Sequence, residues 1–392
     1  MRRTIGYHVL VTALLLSGAM IVPASAGIVV YEKDDKKVEI GGRVQMQYRE
    51  VDPDGGDSSD EIFFRRLRPY ISGSVTENWM GKIQFDFGES EDDDEVKIKD
   101  AYMRYSGFDN IKLTIGNSKT PFSREFLASS KRQQLVERSF VGDHNFGAPD
   151  RQLGVRLDGH CASKKITYAA NFGAQEHDPD IDKLDFDTPV NRDSDWNQGW
   201  VAAGRVDYHP LGYVPFDQAD FGSDEWKFNV SLAAFTWDND DDNNTFTDDS
   251  DAITPEGIAE GKADLDSADG VELSAGVRGR GFSADAEYHM ISGDTVDSSF
   301  TGGLYEDGET DLDILAFEGG YLLPGNVELV AGWDSLDADN YDEAWERTSF
   351  GVNWYWNKHK AKIQASYRMS ENFEGADDLD RDELFAQVQF VF

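Results

Sequence analysis

The sequence predicts an all-β protein: a transmembrane antiparallel β-barrel of about sixteen strands, with a long constriction loop folded into the lumen. Three observations predict it. Short segments with two-residue alternation recur along the chain, and short turns take turns with long acidic stretches between them. The last segment, Leu384–Phe392, has apolar residues two apart and ends on an aromatic.

Successive strand residues point to opposite faces, so each alternating segment has one apolar and one polar side. Val38, Ile40, Val44, Met46 and Tyr48 share one face, and Glu39, Arg43, Gln45 and Gln47 share the other. The strands are expected at 38–51, 61–75, 81–88, 96–105, 110–117, 151–160, 165–175 and 199–209, then at 225–237, 270–280, 281–292, 312–323, 326–334, 345–357, 360–370 and 382–392. The alternation slips near Lys99-Asp100, which predicts a β-bulge. Segments 312–323 and 345–357 are apolar on both faces in places, and the latter would suit a neighbouring subunit. One of the otherwise short turns, Pro210–Asp224, is longer than the rest.

A soluble β-sandwich also alternates. Here, however, the outward aromatics Tyr48, Phe85, Phe87, Tyr105, Trp333, Trp354 and Tyr367 gather near strand ends, as interfacial girdles require. Long connections also segregate to one side, as in a bacterial outer-membrane barrel. Residues 1–26 read as a secretory signal peptide: Arg2 and Arg3, an apolar run over 9–22, and Ala24-Ser25-Ala26 before the cleavage point. A short N-terminal periplasmic segment, 27–37, then leads into one barrel domain over 38–392. Cys161 is the only cysteine, so no internal disulfide forms.

The formal charge is −38, which speaks against nucleic-acid binding. Its distribution is more informative. The stretches 52–61, 89–95, 174–198, 238–269, 293–313, 334–346 and 371–383 hold 51 of the 75 acidic residues and only four basic ones. What remains of the mature chain is net positive. Asp92–Asp94 and Asp238–Asp242 lack the spacing and glycine of an EF-hand and read as solvated loops.

The loop at 117–150 is neither acidic nor strand-like and carries Lys119, Arg124, Lys131, Arg132 and Arg138. Facing the lumen by parity are Arg43, Arg49, Arg66, Arg68, Lys82, Arg104, Lys112, Arg156, Arg205, Arg278, Lys362 and Arg368. Asp86, Asp100, Asp158, Asp207, Glu272, Asp285 and Glu287 share that face. Such cations raise the local anion concentration, and an Arg fork grips phosphate or carboxylate. No G-x-S-x-G, H-E-x-x-H, P-loop or cysteine-based metal motif is present, so neither an enzyme nor a bound metal or cofactor is expected. His144, His160 and His359 fall in loops or turns and are expected to be solvated.

The motifs FFRRLRPYISG (Phe63–Gly73), FDF (Phe85–Phe87), KDAY (Lys99–Tyr102), GNSKTPFSRE (Gly116–Glu125), ERS (Glu137–Ser139) and APDRQLGV (Ala148–Val155) together resemble the phosphate-selective porins O and P. The resemblance covers mainly 38–175 and implies a trimeric outer-membrane channel whose inward loop bears the constriction. By motif it places Lys119 and Ser123 at that constriction and Arg65 and Arg66 in an arginine run, with Arg43 and Arg132 as further candidates. Arg65 shares the parity of the outward Phe63 and Leu67, so a bulge or a position at the membrane edge is needed to bring it inside. With Arg68 and Arg156 from the parity reading, these are the expected pore-lining residues. The expected function is passive uptake of small anions, phosphate or polyphosphate first. The expected surroundings are outer-membrane lipid and lipopolysaccharide, and the expected assembly a homotrimer. The alternatives are a general or cation-preferring porin governed by its acidic loops, and a non-conducting surface protein that binds divalent cations.

Overall fold

The computed structural model describes residues 27–88, 96–178, 180–187, 199–239, 246–247, 253–254 and 264–392. The expected signal peptide, and the acidic clusters Asp92–Asp94 and Asp240–Asp242, lie outside them. Sixteen strands form a closed antiparallel ring. They are β1 (Lys36–Pro53), β2 (Ser59–Ser74), β3 (Trp79–Asp86), β4 (Lys97–Phe108), β5 (Ile111–Lys119), β6 (Arg151–His160), β7 (Ile166–Ala174) and β8 (Trp200–Tyr208), followed by β9 (Lys227–Asp238), β10 (Leu265–Gly279), β11 (Phe282–Thr295), β12 (Glu309–Leu323), β13 (Val327–Ala338), β14 (Trp345–Tyr355), β15 (Ala361–Glu371) and β16 (Arg381–Val391). The ring closes where β1 pairs with β16, from Arg43↔Val391 to Pro53↔Arg381. Below that seam an extra strand, Ile28–Lys33, pairs with the start of β1 and occupies the edge that β16 leaves open.

Parity follows the expectation. Met46, Ile83, Met103, Leu232, Leu273, Leu329, Phe350 and Val388 are exposed on the outside, while Gln45, Gln47, Arg205, Glu272, Asn353 and Gln387 are buried on the inside. An apolar exterior around a polar interior inverts a soluble protein and matches a lipid-facing barrel. The pairing register shifts in several places, and two of the bulges bear on the lumen. One lies in β4 at Lys99, where the pairing skips from Asp100 to Ile98. The other lies in β2 at Arg65, where it skips from Arg66 to Phe64.

The segment between β5 and β6 enters the lumen. Within β5, three residues before the strand ends, Gly116 has φ 120°, and an added Cβ there would sit 2.4 Å from the Ala101 carbonyl oxygen. The segment carries one turn of helix, α1 (Arg124–Leu127), and two 3₁₀ turns at Ser130–Arg132 and Phe140–Gly142. Its Phe122, Phe140, Val141 and Phe146 are buried, and they pack against inward residues of β8–β14 in a hydrophobic core inside the barrel. Phe140 lies 4.7 Å from the Trp345 ring and 5.0 Å from Phe146, and Phe122 lies 4.8 Å from Phe235. The core explains the strands that read as apolar on both faces. In β12 the inward Leu312, Ile314 and Ala316 meet the core while Phe317 and Tyr321 face out. In β14 Trp345 turns in, and Phe350, Val352 and Trp354 turn out. The two-sided pattern is therefore accounted for within one chain.

Leu232→Arg, on the outer face in the middle of β9, should cost about 2–4 kcal/mol of folding free energy in lipid; urea titration of the barrel in vesicles measures it. Phe140→Ala should cost about 3–5 kcal/mol of local stability, with the barrel retained and the single-channel current noisier.

Candidate functional site

The loop is fastened to one wall by hydrogen bonds that accept its backbone groups. The Glu287 carboxylate accepts from the Arg124 and Glu125 amides at 2.9 and 3.0 Å, and Asp334 accepts from the Phe140 amide at 3.1 Å. The Lys362 ammonium donates to the Gln133 carbonyl at 2.7 Å, and Asn353 donates to that of Gln134 at 2.8 Å. Arg124 pairs with Asp285 at 2.7 Å. Buried backbone groups need such partners, and the inward side chains of β11–β16 supply them.

The loop leaves open space along β1–β6, bordered also by Lys183, Asp185, Phe186, Phe216 and Val391, as a cavity of about 910 Å³. Fifteen Lys and Arg residues and seven Asp and Glu residues line it. Several of these cations are neutralised. Arg68 pairs with Asp86, Lys82 with Asp100 at 2.6 Å, Arg156 with Asp158 at 2.6 Å, and Arg65 with Glu137 at 2.9 Å. Arg151 bridges Asp100 and Asp150 at 3.0 and 2.7 Å. Arg43, Arg66, Lys119, Lys131 and Arg138 make no ion pair among the described residues. Arg43 and Arg66 are each only 6% exposed, and the Nε and Nη1 atoms of Arg43 have no hydrogen-bond partner. Arg138 donates to the carbonyls of Ala128 and Gly142 at 3.0 and 3.1 Å, and its Nε is also without a partner. Charges held away from bulk water interact more strongly than surface charges. This is donor geometry suited to an anion.

The bulge resolves the position of Arg65. Strict alternation in β2 would aim only Arg66 and Arg68 inward; the extra residue turns Arg65 in as well, where it reaches Glu137 of the loop. Burial opposes the charge on Glu137, but Arg65 and Arg66 hold its carboxyl well below the usual range. Lys131 is pushed down to about 8 by burial, and then by Arg132 and Arg43.

Six of the eight residues singled out in the sequence line this cavity: Lys119, Arg65, Arg66, Arg43, Arg68 and Arg156. Two do not. Ser123 is fully buried, and its hydroxyl accepts from the Phe126 amide at 2.9 Å as the cap of α1. The serines that border the cavity are Ser118, Ser129 and Ser130. Arg132 is outside the lining of this cavity and forms an ion pair with Asp217. Sequence reasoning passed over Arg151 and Lys99, because Arg151 opens its strand and Lys99 occupies a bulge. Two histidines expected in solvent are engaged instead. His144 pairs with Asp185 at 2.9 Å; burial lowers its pKa, but Asp185 outweighs that and raises it to about 8. His359 contacts the Gln218 carbonyl at 2.8 Å.

Similarity to known proteins gives the family and the fold. Porin O of Pseudomonas aeruginosa is 29% identical over 128 residues, which span 31% of this chain and 29% of that protein. Among solved structures, the trimer form of OmpT, an outer membrane protein of Vibrio cholerae, aligns with a TM-score of 0.55 at 15% identity, covering 91% of this chain and all of that one. The outer membrane channel DcaP of Acinetobacter baumannii aligns with a TM-score of 0.56 at 14% identity, covering 93% of this chain and all of that one. A sequence model for phosphate-selective porins O and P matches residues 38–392. The chain belongs to the phosphate-selective porin O and P family, and is a porin of the bacterial outer membrane.

Proposed function

We propose that this porin conducts small anions passively, with phosphate or polyphosphate the preferred solute, and that selection occurs at the cations that no carboxylate neutralises. The observation that carries this reading is the convergence of Arg43, Arg66, Lys119, Lys131 and Arg138 on one cavity. A hydrated anion arriving there exchanges water for guanidinium and ammonium donors and for the Ser118, Ser129 and Ser130 hydroxyls. The carboxylates interleaved with the cations keep binding weak enough for release, as conduction requires. No chemical step is needed, and the protein works as a channel rather than an enzyme. A trimer fits the outward aromatics Phe350, Trp354 and Trp356 on and beside β14, which offer a flat apolar face to a second copy.

A second reading, cation preference, is favoured by Asp143, Asp150 and Asp185 along the same cavity. Reversal potential across a planar bilayer under a KCl gradient separates the two: anion preference with phosphate block supports the first, and cation preference without block supports the second. Two charges about 8 Å apart at an effective dielectric near 20 interact by about 2 kcal/mol. Lys119→Glu should therefore lower the anion-to-cation permeability ratio by roughly tenfold or more, whereas Lys119→Arg should retain it. Lys131 is charged below its pKa of about 8 and neutral above it. Anion preference should accordingly be greatest below pH 8 and fall as the pH rises through that value, and Lys131→Met should reduce that step to the part carried by His144.

A further inference from the structure

The connection between β8 and β9 has eighteen residues, whereas the other connections on that end have two to five. Turns at the periplasmic end of such barrels are ordinarily short, and a long connection in a compact fold calls for a reason. This one does not hang free. His209, Val214 and Gln218 are each 2% exposed. Phe221 packs edge-on against Tyr355 and His359, with ring centroids 4.9 and 5.1 Å apart.

Its backbone is satisfied from the lumen. Arg278 donates to the Asp217 carbonyl at 2.9 and 3.2 Å, and Arg124 of the inward loop donates to that of Pro215 at 3.1 Å. Gln218 clasps the loop from below: its side-chain oxygen accepts from the Gln134 amide at 2.7 Å, and its amide donates to the Arg132 carbonyl at 3.2 Å. Asp217 forms the ion pair with Arg132, and Phe216 borders the basic cavity beneath the Arg124 and Arg205 guanidiniums, 5.5 and 5.1 Å from its ring.

We propose that this turn is a second constriction element, entering from the periplasmic end to meet the loop inside the barrel, with Phe216 and Asp217 as its specificity-determining residues. Phe216 sets the width of the exit. Asp217 neutralises Arg132, so that cation adds no further anion site at the turn. Pore width and the sign of lining charges are the two quantities that set selectivity in such channels.

Exclusion of uncharged polyethylene glycols, added to one side of the bilayer at a time, tests the width. Phe216→Ala should raise the largest polymer that enters from the periplasmic side and leave the limit from the extracellular side unchanged. Because the polymer carries no charge, this result is independent of whether the channel prefers anions. Asp217→Asn, which frees Arg132, should tighten phosphate block by up to about fivefold, the factor that corresponds to about 1 kcal/mol for a partly exposed pair. Unchanged limits from both sides, or limits that rise equally from both, would overturn the second constriction, because the turn would then act at most as a strut for the loop. If the parent channel prefers cations, the anion reading fails while the polymer measurement still decides the width.

Discussion

The structure depends on one constraint: a thirty-residue segment placed inside a barrel must find partners for its backbone and burial for its apolar side chains. Most of both come from a single wall, with Gln218 of the β8–β9 turn and Gln45 of β1 serving a few further backbone groups. Glu287 and Asp334 accept amides, Lys362 and Asn353 serve carbonyls, and Trp345, Phe235 and their neighbours enclose Phe122 and Phe140. Because one wall meets most of these needs, the loop lies against it and the passage runs along the other. An eccentric pore follows from the loop's own hydrogen-bond and packing requirements.

Charge is sorted by the same arrangement. The lumen face of the strands carries both signs, and a count of residues alone gives no reason for an anion path. In the fold, Glu272, Glu287, Glu328 and Asp334 stand behind the loop, occupied by Arg205, Arg347, amides and hydroxyls. They are removed from the passage. Of the acids that stay in it, Asp86, Asp100, Glu137, Asp150 and Asp158 each pair with a Lys or Arg, and Asp185 pairs with His144. Against the one remaining acid of the lining, Asp143, stand Arg43, Arg66, Lys119, Lys131 and Arg138, so the balance outside ion pairs is positive among the described residues.

Much of this was legible in the sequence. All sixteen strands stand where period-two alternation puts them, and the Lys99 slip is a bulge. Parity also assigned Arg43, Arg66, Arg68 and Arg156 to the lumen, because a two-residue period survives without tertiary information. Side-chain partners across the lumen did not show. Ser123 has the residue type of an anion ligand and also that of a helix cap, and only the course of the loop decides between them. Arg132 sits among the basic residues of the loop, yet a turn about eighty-five residues away claims it. The internal apolar core was visible only as strands that broke the pattern, since residues facing a buried loop and residues facing lipid look alike in sequence.

The net charge of −38 and the basic throat describe different distances from the solute. At about 0.15 M salt the screening length is near 8 Å, and it falls to about 3 Å at 1 M. Acidic residues at the mouth, exposed to that electrolyte, act over little more than their own contact range. Cations inside the barrel, such as Arg43 and Arg66, are withdrawn from it and keep more of their field. On the proposed anion reading, rising salt would weaken repulsion at the entrance faster than attraction within. A long-range negative potential and a short-range positive one are compatible in a single channel because they are screened to different degrees.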